Sequence, residues 1–131
     1  MMRILFIEDD PMNRRVVRDM LAIAGMMMSE ADGGRSGIAR LENEEFDLLL
    51  LDLRMPEMDG FDVMRALRSR DDILKNIPIV VVTADASPGL EDKCLETGAD
   101  AVLFKPIAMQ SLFDSIATVF VDKSDPDAVL G

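Results

Sequence analysis

The sequence predicts an α/β fold, a doubly wound parallel sheet with five strands and five helices. Two observations lead to this fold class. Short apolar runs alternate with stretches of helical periodicity five times along the 131 residues. The apolar runs are continuous rather than alternating, which is typical of parallel strands covered on both faces. Right-handed crossovers between such strands then place helices on both sides of the sheet.

The strands are predicted from apolar runs such as RILFI and the β-branched PIVVV. Their expected ranges are Arg3–Ile7, Met26–Ala31, Phe46–Leu51, Pro78–Val82 and Ala101–Phe104. The expected helices are Pro11–Ala24, Gly33–Glu44, Asp59–Arg70, Pro88–Thr97 and Ile107–Phe120. Asp10 is the N-cap candidate of the first helix, and Gly25 and Gly98 follow helix ends. The last helix is expected to turn Met109, Leu112, Phe113, Ile116 and Phe120 inward.

One domain over residues 2–121 is expected, followed by a flexible C-terminal tail over residues 122–131. No linker or repeat divides the chain, so no separate output domain is expected. The tail sequence DKSDPDAVLG is polar and contains proline, as frayed termini often are.

Composition limits the classes of partner. The formal net charge is −11, and basic residues are scattered apart from the group Arg14, Arg15 and Arg18. A nucleic-acid-binding domain needs a basic face, so direct nucleic-acid binding is not expected, nor is adsorption to anionic membranes. No apolar run approaches the ~20 residues that span a bilayer. A single cysteine, Cys94, and the lack of a signal peptide indicate a reducing, cytoplasmic location.

Charged and polar residues follow the predicted strands. Glu8, Asp9 and Asp10 follow the first strand, Asp52 the third, Thr83 the fourth and Lys105 the fifth. Parallel sheets bind ligands at the carboxyl ends of their strands, so these side chains are expected on one rim. Clustered carboxylates need a counter-charge, which Lys105 or a hard cation such as Mg²⁺ can supply. Such a rim suits a phosphoryl group, with Asp52 as nucleophile and Thr83 offering a hydroxyl.

Each of these residues has a plainer explanation when taken alone. An aspartate after a strand is usually a helix cap or a turn residue, and Asp10 is expected to be such a cap. A Lys-Pro pair usually marks a turn at the surface, and a threonine that follows a strand usually has a structural role. It is their joint occurrence, in order, at the ends of successive strands that favours a site.

At these residues the sequence resembles the response-regulator receiver domains of two-component and phosphorelay signalling. The matching pieces are RILFIEDDPMNRR, FDLLLLDLRMPEMDGF, IPIVVVTADA and GADAVLFKPI, and the resemblance covers roughly residues 2–121. It implies the flavodoxin-like, CheY-like strand order 2-1-3-4-5. It also implies that a histidine kinase or a histidine phosphotransfer protein donates a phosphoryl group, and that a downstream effector protein reads the result.

The resemblance implies roles for particular residues. Asp52 matches the phosphoacceptor, Thr83 the switch hydroxyl, and Lys105 the lysine that pairs with the phosphoryl group, preceding a cis peptide at Pro106. The magnesium ligands implied are Glu8, Asp9, Asp52 and the backbone carbonyl of Arg54, with Asp9 a direct ligand. The helix carrying Met12, Arg14, Arg15 and Arg18 matches the donor-docking helix, although these arginines equally suit a solvated basic face.

One position departs from the usual pattern, and two others vary within it. Val102 stands where most receivers carry the aromatic switch residue, while Phe104 is expected on the other face of the strand. The usual threonine–aromatic relay is therefore in doubt here. Arg54 and Asp85 have opposite charges and flank the site, so we expect them to pair and to hinder an attacking water.

Three alternatives remain open from the sequence. A small aspartyl-phosphate phosphohydrolase would use the same nucleophile, but the stretch Asp52-Leu53-Arg54 lacks the second aspartate that serves as acid and base in haloacid-dehalogenase-type enzymes. A flavodoxin-like cofactor binder needs a phosphate-cradling loop after the first strand, where this chain has acids. The chain can also be a stand-alone regulator or the receiver of a larger protein.

Overall fold

A computed structural model describes residues 2–124 of the chain. Five parallel strands form one sheet in the order β2-β1-β3-β4-β5, which confirms the predicted fold. The strands are β1 Arg3–Ile7, β2 Met27–Ala31, β3 Leu48–Asp52, β4 Ile79–Thr83 and β5 Ala101–Phe104. The helices are α1 Pro11–Ile23, α2 Gly34–Asn43, α3 Gly60–Arg68, α4 Leu90–Thr97 and α5 Met109–Ser124.

The alternation of side chains along each strand divides the core into two layers. Leu5, Leu49 and Val81 face one layer, which α2, α3 and α4 cover. Phe6, Leu50 and Val80 face the other, which α1 and α5 cover. Every residue of β3 and β4 is buried, because helices cover both faces of these central strands.

The structure differs from the sequence-based boundaries in several places. A short 3₁₀ helix, Ile73–Asn76, precedes β4 and was not predicted. Helix α5 continues to Ser124, so it includes residues 122–124, which the sequence assigned to the tail. The rest of the predicted tail, residues 125–131, lies outside the described residues. Met109 is 40% exposed, contrary to its predicted inward position, because it is the first residue of α5.

The prediction for Phe104 was wrong. In the parallel pairing of β4 with β5, Val81 lies opposite Val102 and Thr83 lies opposite Phe104. Cross-strand partners share a face and side chains two positions apart point the same way, so Phe104 lies on the Val102 face. Its ring is 40% exposed near the end of this edge strand.

Candidate functional site

The carboxyl ends of β1, β3 and β4 bring buried polar side chains together. Glu8 follows β1, Asp52 ends β3 and Thr83 ends β4. Within the described part of the chain, these three are the polar or charged residues that are buried, with exposures of 1%, 5% and 1%. The central strands are covered on both faces, so the carboxylate that ends β3 is largely shielded from water.

Helix α1 starts directly behind the acidic stretch and supports it. The Asp10 carboxylate accepts a hydrogen bond of 2.9 Å from the Met12 N–H, so Asp10 is the N-cap of α1, as the sequence predicted. Asp9 is therefore left exposed beside Glu8, between the cap and the strand. In the first turn of α1, the Asn13 amide donates to Glu8 Oε1 at 2.9 Å.

Lys105 reaches the carboxylates from the end of β5. Its Nζ lies 2.8 Å from Glu8 Oε1 and 3.4 Å from Asp52 Oδ1. Its N–H donates to the Thr83 carbonyl at 2.8 Å, which ties the ends of β4 and β5 together. The peptide bond between Lys105 and Pro106 is cis. The lysine thus supplies the positive charge that the buried acids require.

Burial and mutual repulsion shift the pKa values of the acids. Burial, together with the adjacent Glu8 carboxylate, raises the pKa of Asp52 to about 7, although Lys105 opposes this rise. Burial also acts to raise the pKa of Glu8, but the hydrogen bonds from Asp52, Lys105 and Asn13 outweigh it and hold that pKa below its usual value. Of this closely coupled pair, Glu8 therefore carries the charge at neutral pH and Asp52 holds a proton part of the time.

The other two groups shift in the same electrostatic field. Partial burial and the Glu8 carboxylate raise the pKa of Asp9. Burial disfavours the ammonium form of Lys105, but its hydrogen bond to Glu8 and the charge of Asp52 outweigh burial and raise its pKa. The site therefore holds more negative charge than one lysine offsets.

The donor set fits a hard divalent cation. Glu8, Asp9 and Asp52 can each offer a carboxylate oxygen, with all three oxygens within 4.8 Å of one another. Oxygen donors, excess negative charge and one exposed member open to water are what Mg²⁺ prefers, since it keeps several waters when bound. The acidic cluster could therefore hold a metal ion.

The segment after β4 is tied to the segment after β3. The Asp85 N–H donates to Thr83 Oγ1 at 3.1 Å, so the threonine hydroxyl still has its own proton to donate. The Asp85 carboxylate accepts hydrogen bonds from Ser87 and pairs with the Arg54 guanidinium. These hydrogen bonds from Ser87, together with Arg54, lower the pKa of Asp85 to about 2.

The structure separates the three arginines of α1. Arg14 is mostly buried; its guanidinium donates to the Glu8 carbonyl at 2.7 Å and pairs with Glu30 at 3.0 Å. Arg18 pairs with the same Glu30 at 2.8 Å. Within residues 2–124, Arg15 forms no ion pair and is exposed near Met12 and Val16 on the outer face of α1.

Sequence reasoning missed Asn13 and Ser87. Asn13 lies within the first turn of the helix that follows the acids, a position that faces the rim, and this was a usable signal. Ser87 lies two residues after Asp85 and forms an Asx-type turn with it, which the motif Asp-x-Ser could have suggested.

Comparison with known proteins places these features in a family. The model of the response regulator receiver domain matches residues 4–117. The chain belongs to this family. It is 33% identical over 120 residues to the chemotaxis protein CheY of Pseudomonas aeruginosa, covering 91% of this chain and 96% of that protein. It is 34% identical over 116 residues to the sensor histidine kinase RcsC of Salmonella typhi, covering 88% of this chain.

The curated relatives differ greatly in length. The chain spans 12% of RcsC and 3% of hybrid signal transduction histidine kinase G of Dictyostelium discoideum, to which it is 35% identical over 113 residues, 85% of this chain. Receivers of this kind therefore occur in response regulators and within hybrid kinases.

Solved structures agree with the fold. The receiver domain of a signal transduction histidine kinase from Syntrophus aciditrophicus superposes with a TM-score of 0.85 at 28% identity, covering 95% of this chain and 94% of that one. The receiver domain of a sensor histidine kinase from Pseudomonas aeruginosa, described with a magnesium ion coordinated in its active site cleft, gives 0.82 at 28% identity, with 91% and 97% covered. Among residues 2–124, no helix has both the length and the apolar character that crossing a membrane requires.

Proposed function

We propose that this chain is a phosphoacceptor receiver in which Asp52 takes a phosphoryl group from a phosphohistidine donor with the help of Mg²⁺. The observation that carries this proposal is the position of Asp52. Its carboxylate is buried at the end of β3, within reach of the Glu8 and Asp9 oxygens and 3.4 Å from Lys105 Nζ. A nucleophile, ligands for a cation and a counter-charge therefore lie around one point.

Transfer requires Asp52 in its ionised form. An Asp52 oxygen attacks phosphorus, the bond between phosphorus and the donor's histidine nitrogen breaks, and the imidazole leaves with the electron pair. Glu8, Asp9, Asp52 and the backbone carbonyl of Arg54 would hold Mg²⁺, which offsets the charge of the carboxylates and of the phosphoryl oxygens. Lys105 offsets further charge when its Nζ turns from Glu8 to a phosphoryl oxygen.

Thr83 is the residue we propose for sensing phosphorylation. Its hydroxyl accepts a hydrogen bond from the Asp85 N–H and can donate its proton to a phosphoryl oxygen. Any shift of Thr83 is passed to Asp85 and the segment that leads into α4. Val102 occupies the position where most receivers carry the aromatic switch residue. It is partly buried and packs against the core layer that α2, α3 and α4 cover. We therefore assign the main movement to Thr83 and the following segment.

The switch would act on the surface formed by α4, β5 and α5. Leu95, Phe104 and Met109 are each 40–43% exposed there, one on each of the three elements. Exposed apolar side chains on neighbouring elements are typical of interaction sites. A downstream effector protein that binds this surface would distinguish the two states of the Thr83 segment.

The donor partner, a histidine kinase or a histidine phosphotransfer protein, is proposed to dock on α1. Met12 and Val16 are 64% and 44% exposed on its outer face, next to Arg15, which has no ion-pair partner among the described residues. Arg14 and Arg18 contribute less, because both guanidinium groups are already engaged with the Glu30 carboxylate. The docking contact would thus rest on two apolar side chains and one cation beside the acidic rim.

Phosphoramidate provides the test, because its P–N bond resembles that of phosphohistidine. The protein is incubated with phosphoramidate and Mg²⁺, and the modified residue is mapped by peptide mass spectrometry. We expect one phosphoryl group per chain on the peptide containing Asp52, and no catalytic turnover of p-nitrophenyl phosphate. Sustained hydrolysis of the ester without stoichiometric loading would instead favour a phosphohydrolase.

A further inference from the structure

A groove lies at the end of the sheet opposite to Asp52. It consists of two adjoining cavities of about 270 and 620 Å³, which share Phe46, Asp47, Ile73 and Leu74 as lining. We call it the basal groove. Asp47 precedes β3 and the acceptor ends it, so the two sites are separated by the length of that strand, about 15 Å.

The basal groove has an apolar lining, from which the side chain of Ile73 protrudes into solvent. Phe46, Leu74 and Phe120 line it, and Ile73 is 84% exposed, more than any other large hydrophobic residue in the described part of the chain. A partner that covers so exposed an isoleucine removes a large apolar area from water, and this favours binding.

Hydrogen bonds hold the backbone that carries Ile73, which favours binding. Its 3₁₀ helix is capped by the Asp72 carboxylate, which accepts from the Leu74 N–H at 3.2 Å. The Arg68 guanidinium donates to the Lys75 carbonyl at 2.8 Å and to the Gly98 carbonyl, which fastens this helix to the end of α4. An anchor fixed in advance loses little conformational entropy when a partner binds it.

The rim of the basal groove is negative. Five carboxylates line it, from Glu42, Glu44, Glu45, Asp47 and Asp72. Arg70 binds Glu42 and Asp72, while Arg3 and Arg40 bind Glu44 and lie over the Phe46 ring. Three guanidinium groups thus face five carboxylates. Within residues 2–124, Glu45 forms no ion pair and the Asp47 carboxylate accepts a hydrogen bond only from the Arg3 N–H, at 2.7 Å.

We propose that the basal groove docks a basic, amphipathic segment of a partner protein, independently of phosphorylation. An apolar side chain of the segment would cover Ile73 and Phe46, and lysine or arginine side chains would pair with Glu45 and Asp47. A second copy of this chain is disfavoured as occupant, since a two-fold contact would set this acidic rim against itself. The net charge of −11 adds to that repulsion.

A labelled synthetic peptide tests the proposal, because the chain has no tryptophan or tyrosine to report binding. The peptide is helix-forming, with leucines on one face and lysines on the other, and is compared by fluorescence anisotropy with a scrambled peptide of the same composition. Covering Ile73 is expected to account for about tenfold in affinity, so Ile73→Ser should weaken binding by that factor. Glu45→Gln should weaken binding about twofold at low salt and not at high salt.

Two matched variants control for general attraction to an acidic protein. Ile23→Ser changes an isoleucine that is 73% exposed on α1, and Glu96→Gln removes an exposed acid on α4. Both should leave the affinity unchanged, and amide shifts on peptide addition should cluster in residues 41–47 and 70–78. Equal binding of the scrambled peptide, equal losses from the control variants, or shifts centred elsewhere would each overturn the proposal. Neither phosphate nor Mg²⁺ is needed, so the result does not depend on the function proposed for Asp52.

Discussion

The ammonium group of Lys105 binds Glu8 more closely than Asp52, at 2.8 Å against 3.4 Å. Because Glu8 is buried, removing the lysine leaves its carboxylate without a counter-charge, although Asn13 still donates a hydrogen bond to it. We expect Lys105→Met to lower the free energy of unfolding by about 2 kcal/mol, less than for a fully buried pair because Lys105 is partly exposed. Urea denaturation followed by circular dichroism near pH 6, in EDTA, measures this loss.

A double variant separates lost charge pairing from lost packing. Lys105→Met combined with Glu8→Gln leaves no unpaired charge at this position, so it should recover at least half of the loss. If the double variant were no more stable than Lys105→Met alone, the Lys105–Glu8 pair would not be the source of the effect.

The pKa of Asp52, raised to about 7, predicts a pH-dependent effect of Asp52→Asn. An acid whose folded pKa is raised favours folding while it is protonated. That contribution is present in full below its ordinary pKa and is lost as pH rises through about 7. In EDTA, the stability advantage of Asp52→Asn over the wild type should therefore grow between about pH 5 and pH 7, by about 2 kcal/mol, and level off at higher pH.

The lowered pKa of Glu8 does not affect this comparison. The stability that ionised Glu8 contributes is lost only at pH values more acidic than those compared here. Thermal unfolding at several pH values measures the difference between Asp52→Asn and wild type. Added Mg²⁺ should shrink the difference at pH 8 by offsetting the Asp52 charge. A difference that did not vary with pH would show that Asp52 titrates normally.

Asp9 and Asp10 are adjacent acids with different expected effects on Mg²⁺ binding. Asp9 belongs to the acidic cluster, whereas the Asp10 carboxylate caps α1. We expect Asp9→Asn to weaken Mg²⁺ about tenfold through loss of a charged oxygen ligand. Asp10→Asn removes the same charge and keeps a good cap, so its effect should stay within about threefold. Isothermal titration calorimetry measures both, and equal losses would argue against a direct role for Asp9.

Arg54 and Asp85 pair across the mouth of the site, as the sequence led us to expect. We predict that this pair hinders an attacking water, so that either Arg54→Ala or Asp85→Ala shortens the lifetime of the phosphorylated form. Because each change breaks the same pair, the double variant should be little faster than either single one.

Loss of the phosphoryl mass with time measures the dephosphorylation rates. Arg65→Ala, in an exposed ion pair with Asp62 on α3, is the matched control and should leave the rate unchanged. If the effects of Arg54→Ala and Asp85→Ala on the dephosphorylation rate were purely additive, the pair would not shield the site from water.

Gly60 supports the acceptor strand by close approach. A Cβ atom there would lie 2.6 Å from the Asp52 carbonyl oxygen and 2.9 Å from Leu53 Cα, both backbone atoms that cannot swing aside. Gly60→Ala should therefore cost about 2 kcal/mol of stability and slow phosphorylation by displacing Asp52. Gly33, with open space around it, is the control, and Gly33→Ala should cost about 1 kcal/mol or less. Similar stability and phosphorylation rates for both variants would contradict this role.

The fold was predictable because four of the five strands are short, largely apolar runs and the helices between them have start or stop signals; only β2, with the sequence MMSEA, lacks a continuous apolar run. Strand ends were predictable for the same reason, and so was the position of Asp52 on the rim. Its near-complete burial was not, because burial depends on helices that pack on both faces of β3. The 3₁₀ helix Ile73–Asn76 was missed because its sequence, ILKN, is too short for any periodicity.

Pairings across the site could be expected from charge but not assigned from the sequence. Arg14 and Arg15 lie at different angles around α1. Arg14 therefore points toward Glu30, whereas Arg15 points toward solvent. The preference of Lys105 for Glu8 over Asp52 depends on how the ends of β1, β3 and β5 are placed in the folded sheet, which no local pattern encodes. The face of Phe104 was within reach of sequence reasoning, since residues 102 and 104 share a face by simple alternation.

The most direct test of the central claim is the intact mass of the protein after incubation with acetyl phosphate, with and without Mg²⁺, for the wild type and Asp52→Asn. We expect a gain of one phosphoryl group in the wild type, only with Mg²⁺, and no gain in Asp52→Asn. A phosphoryl gain in Asp52→Asn equal to that of the wild type would contradict it, because Asp52 would then not be the acceptor.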